Sequence, residues 1–183
     1  MRLHLTMAIP GWQRNCNTFN GRTGSGQAPH TAKHLYVAIA HDNVPRVAAF
    51  IGHGVDLKAR HIDGVAPVVW AVFTNSNEVL RLLLDHGVDV GYVVDSRPLI
   101  CLAAMFNQTQ TVALLLAHGA RVNDQDGSGV TPLMLAARDG SLALVNFLLA
   151  RGAAKNMTDI NQHTAAEMAL ASGYAQGVAS LTR

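Results

Sequence analysis

"GVTPLMLAARDG", residues 129–140, is the stretch on which the fold turns. Thr131-Pro132 reads as a helix start. The hydroxyl can accept from a free backbone N–H, and the proline's fixed φ suits the first helical position. Leu133 to Ala137 supply an apolar face. Gly140 stops the helix after about two turns, because glycine takes the left-handed conformation that ends helices at little cost. Isolated helices shorter than roughly 12–15 residues are marginal in water. This one needs support from outside itself.

The support is repetition. Gly54, Gly87, Gly119 and Gly152 stand 33, 32 and 33 residues apart. Each closes a similar phrase: "VAAFIGHGVDL", "VLRLLLDHGVDV", "VALLLAHGARV", "VNFLLARGAAK". Each of these follows a shorter phrase: "LYVAIAHDN", "PVVWAVFTN", "LICLAAMFN", "PLMLAARDG". A fifth, "AAEMALASG", follows near the carboxyl end. A fixed period of this length marks a solenoid, in which each unit buries its apolar face on its neighbours.

Within a unit the pattern predicts two helices and a turn. Val79, Leu80, Leu82, Leu83 and Leu84 give a helix with a broad buried face. Asn43 before Pro45, and Ser76 before Glu78, mark starts of second helices. Polar loops such as "NDQDGSG" join the units. The 32-residue interval places a one-residue deletion near "GYVVDSRP", and that loop is expected to be irregular.

These residues carry a resemblance. "DGSGVTPLMLAARDGSLALVNFLLARGA" resembles a nearly complete ankyrin repeat, and "DGVAPVVWAVFTNSNEVLRLLLDHGVD" is similar with weaker spelling. The resemblance implies an all-α ankyrin-repeat solenoid of stacked helix-turn-helix units with short β-turn or hairpin loops. It covers residues 30–183, as repeats at about 30–60, 61–92, 93–125, 126–158 and 159–183. The histidine of the family's Thr-Pro-Leu-His tetrad is replaced by Tyr36, Val69, Cys101, Met134 and Glu167 in turn. Loss of its hydrogen bonds to the loops is the expected consequence. Residues 1–29 fall outside the period. "NGRTGSGQAP" reads as a linker, while Trp12 and Phe19 could dock on the first repeat and cap it.

Composition narrows the function. The formal net charge is +2, with charges dispersed singly, which gives no bulk attraction to nucleic acid or anionic membrane. Residues 1–33 hold Arg2, Arg14, Arg22 and Lys33 and no acid; the remainder holds ten basic and twelve acidic residues. Such an amino terminus keeps an organelle address open. No apolar run reaches the roughly 18 residues of a membrane helix. Cys16 and Cys101 make no disulfide framework, and a reducing cytoplasm is the expected compartment.

Chemistry finds little purchase. His53, His86 and His118 share one phase just before the closing glycines, and Arg151 takes that place in the next unit. Metal ligands must converge at about 2 Å from one ion. Equivalent positions in stacked helices instead sit roughly 8–10 Å apart. Donors in a helix's last turn complement its free carbonyls, so capping is the expected role. Cys101 lies on an apolar helix with no histidine in its unit and reads as a small core residue. "GRTGSG" has no preceding strand and no Lys-Ser/Thr after it. No nucleophile elbow, phosphate loop or paired-cysteine metal spacing occurs. No enzyme, cofactor or metal is expected.

The resemblance further implies a protein–protein interaction module that meets its partner with loop tips and the exposed side of each first helix. Carried over by position, the helix sites are Ala40 and His41, Phe73 and Thr74, Met105 and Phe106, Arg138 and Asp139, Ala171 and Ser172. The loop sites begin at Arg60, Ile62, Asp63 and Val65. They continue through Val93, Val94, Asp95 and Arg97, then Gln125, Gly127, Ser128 and Val130. Thr158, Ile160, Asn161 and His163 close the series. Phe73, Met105 and Phe106 are large and apolar, and Tyr92 and Arg97 are expected to flank them. Aromatics, Met and Arg are enriched at interface centres, and a grouped apolar surface patch marks a contact site. The 92–97 loop or the amino-terminal tail folding over the patch is the competing reading. Trp70 is read as packing. The expected partner is another protein, the expected state a monomer. A neutralising or immunity protein, or an effector that occludes a specific enzyme or toxin, is the alternative. A spacer without a partner and a metal or thiol enzyme stand further off.

Overall fold

The computed structural model describes residues 28–58, 65–174 and 181. Residues 20–27 of the expected linker, Trp12, Phe19, Arg60, Ile62 and Asp63 lie outside them, whereas the linker's last two residues, Ala28 and Pro29, begin the first helix. Nine helices are described: α1 Ala28–Ala40, α2 Val44–Gly52, α3 Pro67–Phe73, α4 Asn77–Asp85, α5 Leu99–Met105, α6 Thr109–Ala117, α7 Pro132–Arg138, α8 Leu142–Ala150 and α9 Ala165–Ala171. They form two rows. The first helix of each unit packs on the first helix of the next, so α1, α3, α5, α7 and α9 make an inner row. The second helices α2, α4, α6 and α8 make an outer row, and the two helices of each unit pack together.

The period acts through burial. Leu35, Val68, Ile100 and Leu133 occupy one phase of the inner row, and Val47, Leu80, Val112 and Val145 one phase of the outer row; all are at most 1% exposed. The inner helices pack on one another and on their outer partners, so the short helices are walled by neighbours. The opening stretch behaves as its residues predict. Thr131 caps α7 by accepting from Met134 N, and Gly140 follows at φ 69.

Polar groups stitch the units together. Ser76 sits at the start of α4, but its hydroxyl does not cap that helix. It is buried and donates to the Ile39 carbonyl at 2.6 Å, satisfying the end of the preceding unit's first helix. Gln108 repeats the move one unit on, donating Nε2 to the Val72 carbonyl at 2.9 Å. Buried Thr111 lies 2.8 Å from Asn77 Oδ1 and 3.1 Å from Asn75 Oδ1. Ser141 donates to Asn107 Oδ1, and Asp42 accepts from Val79 N at 2.9 Å. A buried polar group left unmatched would cost about 1–3 kcal/mol, so these links resist sliding of one unit over another.

Two expectations need correction. The 92–97 loop is regular: Val93–Val94 (β1) and Arg97–Pro98 (β2) pair as a hairpin, with Val93 opposite Pro98 and Val94 opposite Arg97. Asp95 and Ser96 between them both take positive φ, 48° and 61°. The deletion shortens the connection to the two-residue turn whose positive φ values match the twist of paired strands. The replaced histidines also leave fewer gaps than expected. The Tyr36 hydroxyl donates to the Val65 carbonyl, and Cys101 Sγ lies 3.4 Å from the Asp124 carbonyl. Glu167 Oε2 accepts from Thr164 N at 2.7 Å, closing the cap of α9. Different side chains thus tie helix to loop at these positions.

Loop tips join by backbone. Gly127 N donates to the Ser96 carbonyl at 2.8 Å, and Ile160 N to the Ser128 carbonyl at 3.0 Å. A Cβ on Gly127 would stand 2.8 Å from Ser96 Cβ, too close to be accommodated without movement. Gly127→Ala is therefore expected to push these neighbouring loops apart and cost about 1–3 kcal/mol, read as a lower urea midpoint at unchanged slope.

Candidate functional site

The exposed ends of the inner helices assemble the site. Phe73 closes α3 and Thr74 caps it; Met105 closes α5 and Phe106 caps it; Arg138 closes α7 and Asp139 caps it. Equivalent positions in stacked units thereby fall side by side. The Phe73 and Phe106 rings meet edge to face, with centroids 5.6 Å apart and planes at 62°. That geometry sets the positive edge of one ring against the negative face of the other. Both rings and Met105 are half-buried, packed on the core beneath and open above. Arg138 Nε lies 3.1 Å from Asp139 Oδ1, so the next unit presents a neutral pair. His41, in the equivalent place on the first unit, is exposed.

The loop candidates stand elsewhere. Tyr92 lines an apolar recess of about 300 Å³ with Leu57, Lys58, Ala66, Val68, Val88 and Asp89. Ala66 and Val68 lie at the start of α3, whereas Phe73 ends it. Arg97 precedes α5, whereas Phe106 follows it. Tyr92 and Arg97 do not flank the aromatic pair; seven helical residues, about 10 Å, separate them from it. The reason is connectivity: loops enter the inner helices at one end, and the aromatics leave at the other. Arg97 Nε faces Asp126 Oδ2 at 3.7 Å. Val93 is 48% exposed beside it, and Val65 is half-buried and accepts the Tyr36 hydroxyl. Nor does the 92–97 hairpin fold over the aromatics, since it sits at that opposite end. Trp70 packs edge to face on Tyr36 at 5.8 Å, in keeping with a packing role.

The histidine phase resolves into caps. His86 and His118 each terminate an outer helix and donate Nδ1–H to Leu82 and Leu114 carbonyls at 2.8 and 2.9 Å. His118 also reaches Asp85 of the preceding unit, Nε2 to Oδ1 3.1 Å. With both nitrogens facing acceptors, the doubly protonated ring is favoured, and the Leu114 carbonyl and Asp85 raise its pKa above the ordinary histidine value. Asp159 moves the other way: backbone N–H groups of His163 and Asn161 hold its carboxyl below the usual range. Burial pushes the Cys101 thiol up to about 12, aided by Asp126 and Asp124, so the reactive thiolate is suppressed near neutral pH. Among the described residues no three His, Cys, Asp or Glu side chains lie close enough to hold a metal ion. No described helix is long and apolar enough to cross a membrane.

Comparison with known proteins converges on the repeat. A family model described as ankyrin repeats (many copies) matches residues 115–169, and one described as ankyrin repeat matches 97–127. With the recurrent helix pairs, this makes the chain an ankyrin-repeat protein. Mouse (Mus musculus) B-cell lymphoma 3 protein homolog is 36% identical over 112 residues, covering 60% of this chain and 25% of that protein. Mouse Rabankyrin-5 is 28% identical over 151 residues, covering 80% and 12%. An L-asparaginase of Dirofilaria immitis is 31% identical over 122 residues, covering 65% and 20%. The chain thus spans a quarter or less of these relatives. The three carry unrelated names, so the likeness assigns no activity to this chain. Ankyrin repeats are in general protein–protein interaction modules without catalytic activity.

Two measurements check this chemistry. Because the folded pKa of His118 is raised, its stabilising contribution is full below the ordinary histidine value and fades as pH rises through the raised one. Asp85→Asn is expected to lower the His118 midpoint by NMR, and to lower Tm more below about pH 6 than above about pH 8. Cys101 is expected to resist an aromatic disulfide reagent at neutral pH and to react only on unfolding; rapid reaction in native buffer would contradict its placement.

Proposed function

We propose that this chain is an interaction module that grips a partner protein through the inner face centred on Phe73, Met105 and Phe106. The single observation behind the reading is the edge-to-face aromatic pair, half-open in consecutive units with Met105 alongside. Aromatic rings that retain exposed surface bury more area when covered, and such side chains dominate binding energy at interface centres. Thr74 and His41 extend the surface toward the first unit; Arg138 and Asp139 bound it on the other side. Val65, Val93, Arg97 and Tyr92 form a second row at the loop ends, about one inner helix away. Ile62, a candidate by its repeat position, lies outside the described residues. The repeat domain of residues 30–183 carries the surface, acting as a monomer in a reducing cytoplasm, with residues 1–29 as a separate segment.

Tandem affinity purification with mass spectrometry tests this, comparing the native chain with Phe73→Ala/Phe106→Ala. The double variant is expected to lose the captured partner, weakening it by at least about 2 kcal/mol. Helical circular dichroism should be retained, and Tm lowered only modestly because both rings sit at the surface of the core. Undiminished capture by a folded double variant would refute the assignment.

A further inference from the structure

We propose that the segment seated on this inner face is amphipathic, with an apolar anchor on Phe73, Met105 and Phe106 and carboxylates running toward the first unit. The proposal rests on the inner-face reading above and adds the partner's chemistry. On α1, Leu35, Ala38 and Ile39 turn to the core, while Lys33, His34, Val37, Ala40 and His41 are exposed. His34, Val37 and His41, spaced three and four apart, lie on one helical stripe. By repeat phase its counterparts in the second unit are Pro67, Trp70 and Thr74, so His41 stands level with Phe106 and His34 lies about one inner helix away, toward the loop end. Residues 33–41, 65–74 and 97–106 of the inner row contain no Asp or Glu.

Nearby acids are committed elsewhere. Asp42, next to His41, accepts from Val79 N at 2.9 Å. Asp139, the next acid along the helix ends, pairs with Arg138. Asp126 takes Arg97 at the loop end. Among the described residues Lys33, His34 and His41 have no carboxylate partner. The face is therefore apolar in its middle and lined by nitrogen donors at one end, and its complement is an apolar group followed by acids.

Charge also discriminates between occupants. Residues 1–32 carry Arg2, Arg14, Arg22, His4 and His30 and no acid, so the chain's own amino-terminal segment shares the cationic sign of Lys33 and brings no carboxylate to this end. A nucleic acid or an anionic lipid surface would need many cations, and this end offers one lysine and two histidines. A short acidic stretch of a protein fits such a sparse set. Adjacent inner helices sit roughly 8–10 Å apart, so an extended occupant places its carboxylates about 3–6 residues from the anchor.

Panning a random-peptide phage library against the full chain tests this. Recovered peptides should share an aromatic or branched apolar residue with Asp or Glu about 3–6 positions away. Their affinity should fall at least tenfold in Phe73→Ala/Phe106→Ala. It should fall as far in Lys33→Glu/His34→Glu/His41→Glu, and partially in the matching Gln variant, which keeps the helix if the Glu variant does not. Peptides lacking acids but still dependent on Phe73 and Phe106 would overturn this proposal and leave the inner-face reading standing. Peptides indifferent to the aromatic pair would overturn both. Recovery only after deletion of residues 1–27 would make the amino-terminal segment the occupant, and recovery of no peptide would remove the proposal.

Discussion

Everything in this molecule depends on the burial of one unit against the next. The inner helices α3, α5, α7 and α9 are seven residues long. Two turns cannot offset the cost of nucleating a helix in water. They exist because Val68, Ile100 and Leu133 are removed from solvent in a stack where inner helices pack on their outer partners and on the inner helices of adjoining units. Stability is then close to a sum of nearest-neighbour contacts, with no central core to fall back on. The same rule explains the functional geometry. Stacking brings the ends of the inner helices side by side, so Phe73, in phase with Met105, and Phe106, in phase with Thr74, become ring partners across adjacent units.

Burial fixes how closely the units approach, and polar links fix their register. Apolar ladders tolerate small slides; a hydroxyl that must reach one carbonyl does not. Ser76 on Ile39 and Gln108 on Val72 serve the same carbonyl position with side chains of different length. Tyr36, Cys101 and Glu167 likewise meet the needs of one repeat position by three chemistries. What is preserved from unit to unit is satisfaction of a backbone group; the residue that satisfies it varies. This is the expected economy of buried polar atoms, where the penalty lies in leaving one unmatched.

The fold was legible because burial is periodic and periodicity is local. Gly54, Gly87, Gly119 and Gly152 set the phase, Thr131 and Gly140 bounded a helix, and the apolar spacing oriented it. The aromatic pair was legible for the same reason, as adjacent phase positions at the ends of neighbouring inner helices. What escaped were contacts set by geometry outside the phase. That Ser76 serves Ile39 and not its own helix depends on a carbonyl 37 residues away. The hairpin at Asp95-Ser96 required knowing that removal of one residue leaves a two-residue turn with positive φ at both positions. The placing of Tyr92 and Arg97 failed because phase tells which unit a residue joins, not which end of a helix it lies near.

Most stitches between units share a direction, with Tyr36 to Val65 and Gln125 to Thr158 running the other way. Ser76, Gln108, Val79 N and Ser141 all donate backward, and the receiving atom always belongs to the earlier unit. The loop tips follow suit, with Gly127 N and Ile160 N donating to Ser96 and Ser128. Each unit therefore has unlike sides, one offering most of the protons and the other most of the acceptors. Joining unlike sides is a heterologous contact, and in a stack that never curls back on itself nothing in the joint limits its length. The number of units is then decided only where a terminal side departs from the pattern, which makes the two extremities, and not the middle, the positions at which such a chain could be lengthened.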